Sequence, residues 1–414
     1  MSWRVLADCT VTLGVTGGIA AYKAAEIVRL LTRMGVRVRV VMTRSATRLV
    51  SPHALATLSG APILTRLFQH PELEGPQYEH LQAGRDTDLL LVAPATANIL
   101  GKTAAGIADD LLSTAIMASE APVLFAPAMN WRMWQNPIVQ RNVAVLQKVG
   151  YAFVGPEAGE LACGETGIGR MATPERIVDA AVRLLLERTE GMQVLVTAGP
   201  TEEPVDAVRV LANRSSGKMG IALAEAARDR GHRVTLIAGP LQCPPPLGVA
   251  RIDVRTARDM DQAVRRAEGG AHALIMAAAV SDYRPVQPET GKIPSGTPSL
   301  NLALEPNPDI LGTVGPERAK RGAITIGFAL EVGEGGEARA RGKLVAKGVD
   351  LIVLNDATRP ESAFGGDAAQ VSLLYKDGRI ERFDPMSKSD AAREILTRTE
   401  VLCGLTREEA TQQE

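Results

Sequence analysis

Cysteine and histidine are scarce. Four cysteines in 414 residues (Cys9, Cys163, Cys243 and Cys403) are scattered without the close pairing of a metal site. That argues against a structural zinc site and a disulfide framework, and fits a reducing cytoplasm. Net charge is −1, so no broad electrostatic attraction to nucleic acid or to an anionic membrane is expected. No apolar run is long enough to span a membrane; residues 89–97 fall well short. Met1-Ser2-Trp3-Arg4 shows no signal-peptide pattern, which agrees with a cytoplasmic location. The phosphate-binding signature G-x-x-x-x-G-K-[ST] is missing throughout. What is present, 45% hydrophobic and 22% charged residues, fits a soluble globular protein. The length predicts two domains of roughly 200 residues each.

Residues 9–16 read as a buried strand that ends in Gly14-Val15-Thr16-Gly17-Gly18. A helix over 19–34 and a strand over 36–42 complete a βαβ unit with a parallel sheet. A glycine turn at a helix start points backbone N–H groups at an anion, most often a phosphate. The turn is not the G-x-G-x-x-G dinucleotide fingerprint. With Thr16 offering a hydroxyl and Thr43 and Ser45 ending the next strand, it predicts a mononucleotide phosphate site. A third strand over 88–93 closes in Pro94-Ala95-Thr96-Ala97-Asn98, small and hydroxyl residues suited to a flat ring or a phosphate. Helices over 97–105 and 109–119 and a strand over 122–126 lead to Pro127-Ala128-Met129-Asn130. Asn130 can donate to a carboxylate or cap the helix that starts at Trp131. His80 follows an acidic stretch (Glu72, Glu74, Glu79), and a lone histidine of this kind is more often structural than catalytic.

After a short strand over 151–154 comes Leu161-Ala162-Cys163-Gly164-Glu165-Thr166-Gly167-Ile168-Gly169-Arg170. Neither helical nor strand periodicity runs through it. A thiol, a carboxylate, a guanidinium and several glycines in one loop suit a segment that orders around a ligand. An incidental surface cysteine is the equal alternative. A helix over 173–187 follows, and polar residues 188–191 mark the domain boundary, giving domains 1–190 and 191–414.

The second half restarts the pattern, with strands over 193–197 and 233–237 around a helix over 218–231. Ser215, Ser216 and Gly217 sit at that helix's start, with Arg209, Arg214 and Lys218 near, which predicts a second anion site. A strand over 273–279 runs into Val280-Ser281-Asp282, where Asp282 can hold Mg²⁺, a ribose hydroxyl or simply the turn. Residues 287–298, with Lys292 inside, read as a flexible arm. Asn307-Pro308-Asp309-Ile310 starts a helix, and residues 324–328 form a strand ending near Phe328. A helix over 336–347 carries Lys343 and Lys347 on one face. Residues 350–354 form a late strand, 371–375 an edge strand, and 390–402 the last helix. The whole reads as α/β, two doubly wound domains in series.

In this order and spacing, these stretches resemble the bifunctional coenzyme A biosynthesis flavoproteins, which join phosphopantothenoylcysteine decarboxylase to phosphopantothenate–cysteine ligase. The resemblance spans nearly the whole chain. It rests on residues 14–23, His80, 94–98, 127–130 and 162–165, then on 199–206, 213–220, 277–285, 307–310 and Asn355-Asp356. It implies a flavodoxin-like flavoprotein domain followed by a Rossmann-like ligase domain. Gly17, Gly18, Thr43, Ser45, Ala95 and Thr96 would lie in an FMN site. His80 would be the catalytic histidine, Asn130 would bind the substrate carboxylate, and Cys163 on a flap would reprotonate the product. In the ligase half, Asn213 and Arg209 would handle an acyl-cytidylate, and Lys292 would be catalytic. Met276, Ala277, Ala278, Asp282, Lys292, Phe328, Lys343 and Lys347 would contact CTP, with Asn307, Pro308, Asp309 and Ile310 nearby. Mg²⁺ would bridge phosphates, with direct protein ligands unassigned.

The implied substrates are 4′-phosphopantothenate, cysteine and CTP. The implied assembly is a homo-oligomer, trimeric in the first domain and dimeric in the second, combining into a dodecamer. Two departures are visible: only Lys292 remains of the family's lysine-rich arm, and residues 366–370 lack an asparagine the family tends to have. Two other readings remain. An FMN oxidoreductase would consume NAD(P)H, against which the missing dinucleotide fingerprint counts. A flavoprotein-like regulatory subunit could lack the reactive cysteine, which this chain keeps together with His80 and Asn130.

Overall fold

In a computed structural model of the chain, the described residues are 5–67, 86–160, 164–294, 300–331, 335–356, 366 and 368–405. They fall into two compact units, residues 5–189 and 190–405.

The first unit is built on β1 (Thr10–Val15), β2 (Arg37–Met42), β3 (Leu89–Ala95), β4 (Val123–Pro127) and β5 (Ala152–Phe153), all parallel, in the order β2-β1-β3-β4-β5. β3 is buried along its whole length, as a central parallel strand covered on both faces must be. Helices α1 (Ala24–Arg33), α2 (Pro52–Ser59), α3 (Ala97–Ala104), α4 (Leu111–Ala118), α5 (Trp131–Gln135), α6 (Pro137–Lys148) and α7 (Pro174–Glu187) connect or follow these strands. In α1 the buried residues are Ala24, Ile27, Val28 and Leu31, one apolar stripe at helical spacing. The helix expected over 19–34 begins instead as a tight 3-10 turn, Ile19–Lys23, and becomes α-helical only at Ala24. The helix expected from Trp131 on is two helices. Asn136 ends α5 and caps α6, its Oδ1 accepting from the Ile138 N–H at 2.9 Å with Pro137 at the first position.

The loop expected over 161–170 is half strand. β6 (Glu157–Glu160) and β7 (Thr166–Arg170) form an antiparallel hairpin. Its pattern was hidden because the positions that face inward are glycines. A Cβ on Gly167 would lie 2.6 Å from Trp131 Cβ, and one on Gly169 would lie 2.3 Å from the Met129 carbonyl oxygen.

The second unit holds an eight-stranded sheet of β8 (Gln193–Ala198), β11 (Arg233–Ala238), β12 (Ala250–Asp253), β13 (Ala273–Met276), β16 (Ile324–Glu331), β17 (Leu351–Asp356), β19 (Val371–Tyr375) and β20 (Ile380–Arg382). The order is β12-β11-β8-β13-β16-β17-β19-β20, parallel from β12 to β17 and antiparallel beyond. Short antiparallel pairs add to it: β9 (Glu202–Pro204) with β10 (Val210–Ala212), β14 (Tyr283–Pro285) with β15 (Leu304–Pro306), and β18 (Ala368–Ala369) with β21 (Met386–Ser387).

One face of the sheet packs on α8 (Lys218–Asp229) and α12 (Lys388–Leu402), through Leu223, Ala227, Ile395 and Leu396. The other packs on α9 (Ala257–Ala267) and α10 (Ile310–Lys320), and at one end on α11 (Gly336–Lys347). Along β8, Val194 and Val196 enter the first core and Leu195 the second, the alternation of a strand covered on both sides. Residues 371–375 do not form an edge strand. β19 lies between β17 and β20, with Val371 and Leu373 in one core and Leu374 in the other. β20 escaped the sequence reading because it is three residues long and carries Glu381 and Arg382.

Candidate active sites

In the first unit the strand order reverses between β1 and β3, and the carboxyl ends of these strands open on a cavity of about 1260 Å³. Thr16, Gly17, Gly18, Thr43, Ser45, Thr96 and Asn130 line it, so the structure gathers most of the predicted set from four segments of chain. The glycine turn is close-fitted: a Cβ on Gly17 would lie 2.3 Å from Ser45 Cβ, and one on Gly18 3.3 Å from Thr96 Cγ2. A flat, phosphate-bearing cofactor fits such a glycine cradle. Two details differ from the expected roles. The Thr16 hydroxyl, 2% exposed, donates to the Pro94 carbonyl at 2.7 Å and accepts from the Thr96 N–H at 3.3 Å. It therefore ties the two strand ends together. Ala95 is fully buried in the core, and its carbonyl accepts from the Ala128 N–H at 3.1 Å.

Asn130 performs the capping role: Oδ1 accepts from the Arg132 N–H at 2.9 Å. Its Nδ2 donates to Glu165 Oε2 at 3.1 Å. The β7 strand docks beside it, where the Met129 N–H donates to the Gly169 carbonyl at 3.0 Å. Sequence reasoning left several cavity residues without a role. Lys23 and Arg170 both line it, and burial, then the Arg170 charge, pushes the Lys23 ammonium below its usual range. An anion between the two cations would relieve that cost. Lys102, also lining, pairs with Asp109 at 2.6 Å and Asp110 at 3.0 Å. His80 and Cys163 lie outside the described residues.

In the second unit the order reverses between β8 and β13. The turn after β8 and the start of α8 meet there: Gly217, in left-handed conformation at φ 77°, caps the helix, and a Cβ on it would lie 3.4 Å from Gly199 Cα. Residues 277–282 are tied down from several sides. The Ala278 N–H donates to Thr197 Oγ1 at 3.1 Å, the Ser281 N–H to Thr201 Oγ1 at 2.9 Å, and Asn213 Nδ2 to the Val280 carbonyl at 2.9 Å. Asn307 Nδ2 donates to the Ser281 carbonyl at 2.8 Å, and the Asn307 N–H to the Asp282 carbonyl at 2.8 Å. Asp282 itself is exposed. Ser281 Oγ, in a residue 4% exposed, has no hydrogen-bond partner among the described residues, which fits a wall that meets a polar ligand.

Arg209 is held in place by Asp206, a residue that sequence reasoning passed over. Arg209 Nη1 donates to Asp206 Oδ2 at 2.6 Å and to the Ile293 carbonyl at 3.1 Å. Burial pushes the Asp206 carboxyl up, but donation from the Arg209, Val208 and Ile293 N–H groups and from the Arg209 guanidinium outweighs it and holds the group at about 2. The same bonds put exposed Lys292, next to Ile293, beside Arg209. The two α11 lysines each have a carboxylate. Lys343 Nζ lies 2.9 Å from Glu331 Oε1, and Lys347 pairs with Asp309. Asp309 also caps α10, accepting from the Gly312 N–H at 2.9 Å. Met276 and Ile310 are largely core residues at 7% and 3% exposure, Pro308 lies between core and surface, and Phe328 packs half-buried on β16. Among the described residues no three His, Cys, Asp or Glu converge as a metal cage.

Fold and cavities define a class: two doubly wound nucleotide-type units in one chain, the first with a flavin-type cradle. Residues 4–186 match the family described as Flavoprotein, and residues 189–402 match the DNA/pantothenate metabolism flavoprotein C-terminal domain. The Coenzyme A biosynthesis bifunctional protein CoaBC of Bacillus subtilis (strain 168) is 43% identical over 95% of this chain and 97% of its own. The protein of the same name from Escherichia coli (strain K12) is 39% identical over 94% of this chain and 96% of its own. A solved C-terminal domain of a CoaBC protein is 36% identical, covers 52% of this chain and 96% of its own, and superposes at a TM-score of 0.44. The chain belongs to the family of bifunctional coenzyme A biosynthesis proteins.

Proposed function

We propose that the chain carries out two consecutive steps of coenzyme A biosynthesis. The second unit, 191–414, joins cysteine to 4′-phosphopantothenate with CTP, and the first, 1–190, decarboxylates the resulting 4′-phosphopantothenoylcysteine to 4′-phosphopantetheine. The observation that carries this reading is the pairing of a flavin-type cavity in the first unit with a second strand-order reversal in the other, in a chain so similar along its whole length to the CoaBC proteins.

A carboxylate forms an amide only once it carries a good leaving group. Phosphopantothenate oxygen attacks the α-phosphorus of CTP, giving an acyl-cytidylate and pyrophosphate, and the cysteine amine then displaces CMP. Ala277, Ala278, Asp282 and residues 307–309 hold the nucleotide, with Phe328 beside them and Met276 and Ile310 supporting them from the core. Lys292, Lys343 and Lys347 take the charge of its phosphates. The carboxylates now on Lys343 and Lys347 hold both lysines in place until a triphosphate competes for them. Mg²⁺ would supply further neutralisation of the phosphate charge, with no protein cage for it among the described residues. Arg209, fixed by Asp206, and Asn213, fixed on Val280, orient the acyl group.

In the first unit Gly17, Gly18, Thr43, Ser45 and Thr96 would line the FMN site, with Ala95 buried in the core behind them. FMN held there would supply a reversible two-electron sink that lets the substrate's thiol-bearing carbon stabilise loss of CO₂. Asn130, as a hydrogen-bond donor, holds the departing carboxylate, His80 is the catalytic histidine, and Cys163 gives the proton that completes the product. Homo-oligomeric assembly through trimeric and dimeric contacts, and a cytoplasmic site of action, belong to the same reading.

The test is CO₂ release from 4′-phosphopantothenoylcysteine in the absence of nicotinamide cofactors. Sustained turnover is expected because the flavin ends each cycle in its starting state. Activity that required NAD(P)H would favour an oxidoreductase and contradict the reading.

A further inference from the structure

Glu165 has no part in the steps above, yet three side-chain donors converge on its carboxylate. Asn130 Nδ2 lies at 3.1 Å and Trp131 Nε1 at 2.8 Å from Oε2, and Arg132 Nη2 at 3.2 Å from Oε1. All three donors come from the cap and first turn of α5, while Glu165 precedes β7. Of the three, Asn130 lines the cavity.

A side-chain amide can sit in either of two flipped orientations, with oxygen and nitrogen exchanged. At Asn130 both ends are committed. Oδ1 accepts from the Arg132 N–H, and the opposite end faces an ionised carboxylate, which only accepts. We infer that Glu165 is a positioning residue: it holds the Asn130 amide as a hydrogen-bond donor on the cavity wall, the orientation a carboxylate ligand requires. The inference rests on the reading of Asn130 as the group that takes the substrate carboxylate.

Two further features separate this role from simple anchoring. The hairpin is docked without Glu165, through the Met129–Gly169 backbone bond and the close approach of Gly167 and Gly169. The Arg132 guanidinium offsets the charge of Glu165, so the carboxylate can orient Asn130 with reduced repulsion toward an incoming anion.

The test is a double-substitution cycle on the full-length flavin-loaded protein, with CO₂ release from 4′-phosphopantothenoylcysteine as the readout. Glu165→Ala should lower kcat/KM by about 10- to 100-fold. Flavin content and ligation by the second unit should be unchanged. Adding Glu165→Ala to Asn130→Ala should change kcat/KM by less than about twofold, because a group that acts only through Asn130 has nothing left to orient. Glu165→Gln, which sets amide against amide, should fall between wild type and Glu165→Ala. Wild-type kcat/KM in Glu165→Ala, or a double variant that shows the product of the two single losses, would overturn the inference. If Glu165→Ala sheds flavin, Glu165→Gln takes its place in the same cycle under the same criteria. A wild-type protein that releases no CO₂ would overturn the reading of the reaction, and this inference with it.

Discussion

Asp206 shows how one carboxylate sets up a site that it need not touch. It receives N–H groups from Val208, Arg209 and Ile293, and the Arg209 guanidinium as well. Its carboxyl is held at about 2 against an ordinary 3.8. A carboxyl depressed in the folded state adds stability above its unfolded value, and that stability is lost as pH falls toward the folded one. Asp206→Asn should therefore be less stable than wild type in denaturant titrations near neutral pH, with the gap closing as pH drops from about 4 to about 2. The same variant should lose ligation by tenfold or more, as Arg209 and the base of the 292–293 arm come loose, while decarboxylation of supplied substrate continues. Lys343→Ala should raise KM for CTP by about tenfold, the scale of one lost charge-assisted contact. Steady-state kinetics at fixed phosphopantothenate check it. Neither Asp206 nor Glu165 was legible in the sequence as a partner. Glu165 reaches Asn130 across 35 residues and Asp206 reaches Ile293 across 87, contacts that no local pattern carries, while the local Asp206–Arg209 pair reads in sequence only as an ordinary turn. Glycine turns and strand-end residues were legible, because their chemistry is local.

At the scale of elements, the strand–turn–helix units around β1 and β8 follow from apolar runs and glycine turns, and the structure forms both. The β6–β7 hairpin did not show, for the opposite reason: its inward positions carry no side chain, so hydrophobic periodicity is silent there. Its fit makes a sharp prediction. Gly169→Ala places a Cβ against the Met129 carbonyl, and the strand must lift from α5. Decarboxylation should fall about 100-fold or more while ligation is retained, measured by CO₂ and pyrophosphate release on one preparation. Gly17→Ala, whose Cβ collides with Ser45, should instead yield protein without bound flavin, read from its visible absorbance.

At the scale of the molecule, two sheets with their own cores explain how one chain runs two unrelated chemistries. The order β2-β1-β3-β4-β5 and the order beginning β12-β11-β8-β13 each have one switch point, and the first opens on the cavity lined by Gly17 and Gly18. The repeat of the βαβ pattern was plain in the sequence. The antiparallel end of the second sheet was not, since β19 became interior only through the short polar strand β20. The central claim is that both chemistries belong to this chain, with CTP as the activating nucleotide. The most direct measurement mixes the purified protein with 4′-phosphopantothenate, cysteine and Mg²⁺, adds either CTP or ATP, and follows pyrophosphate and CO₂ together. The account predicts pyrophosphate with CTP, CO₂ following it, and 4′-phosphopantetheine as the product. Pyrophosphate formed equally well with ATP, or no CO₂ after ligation, would contradict it.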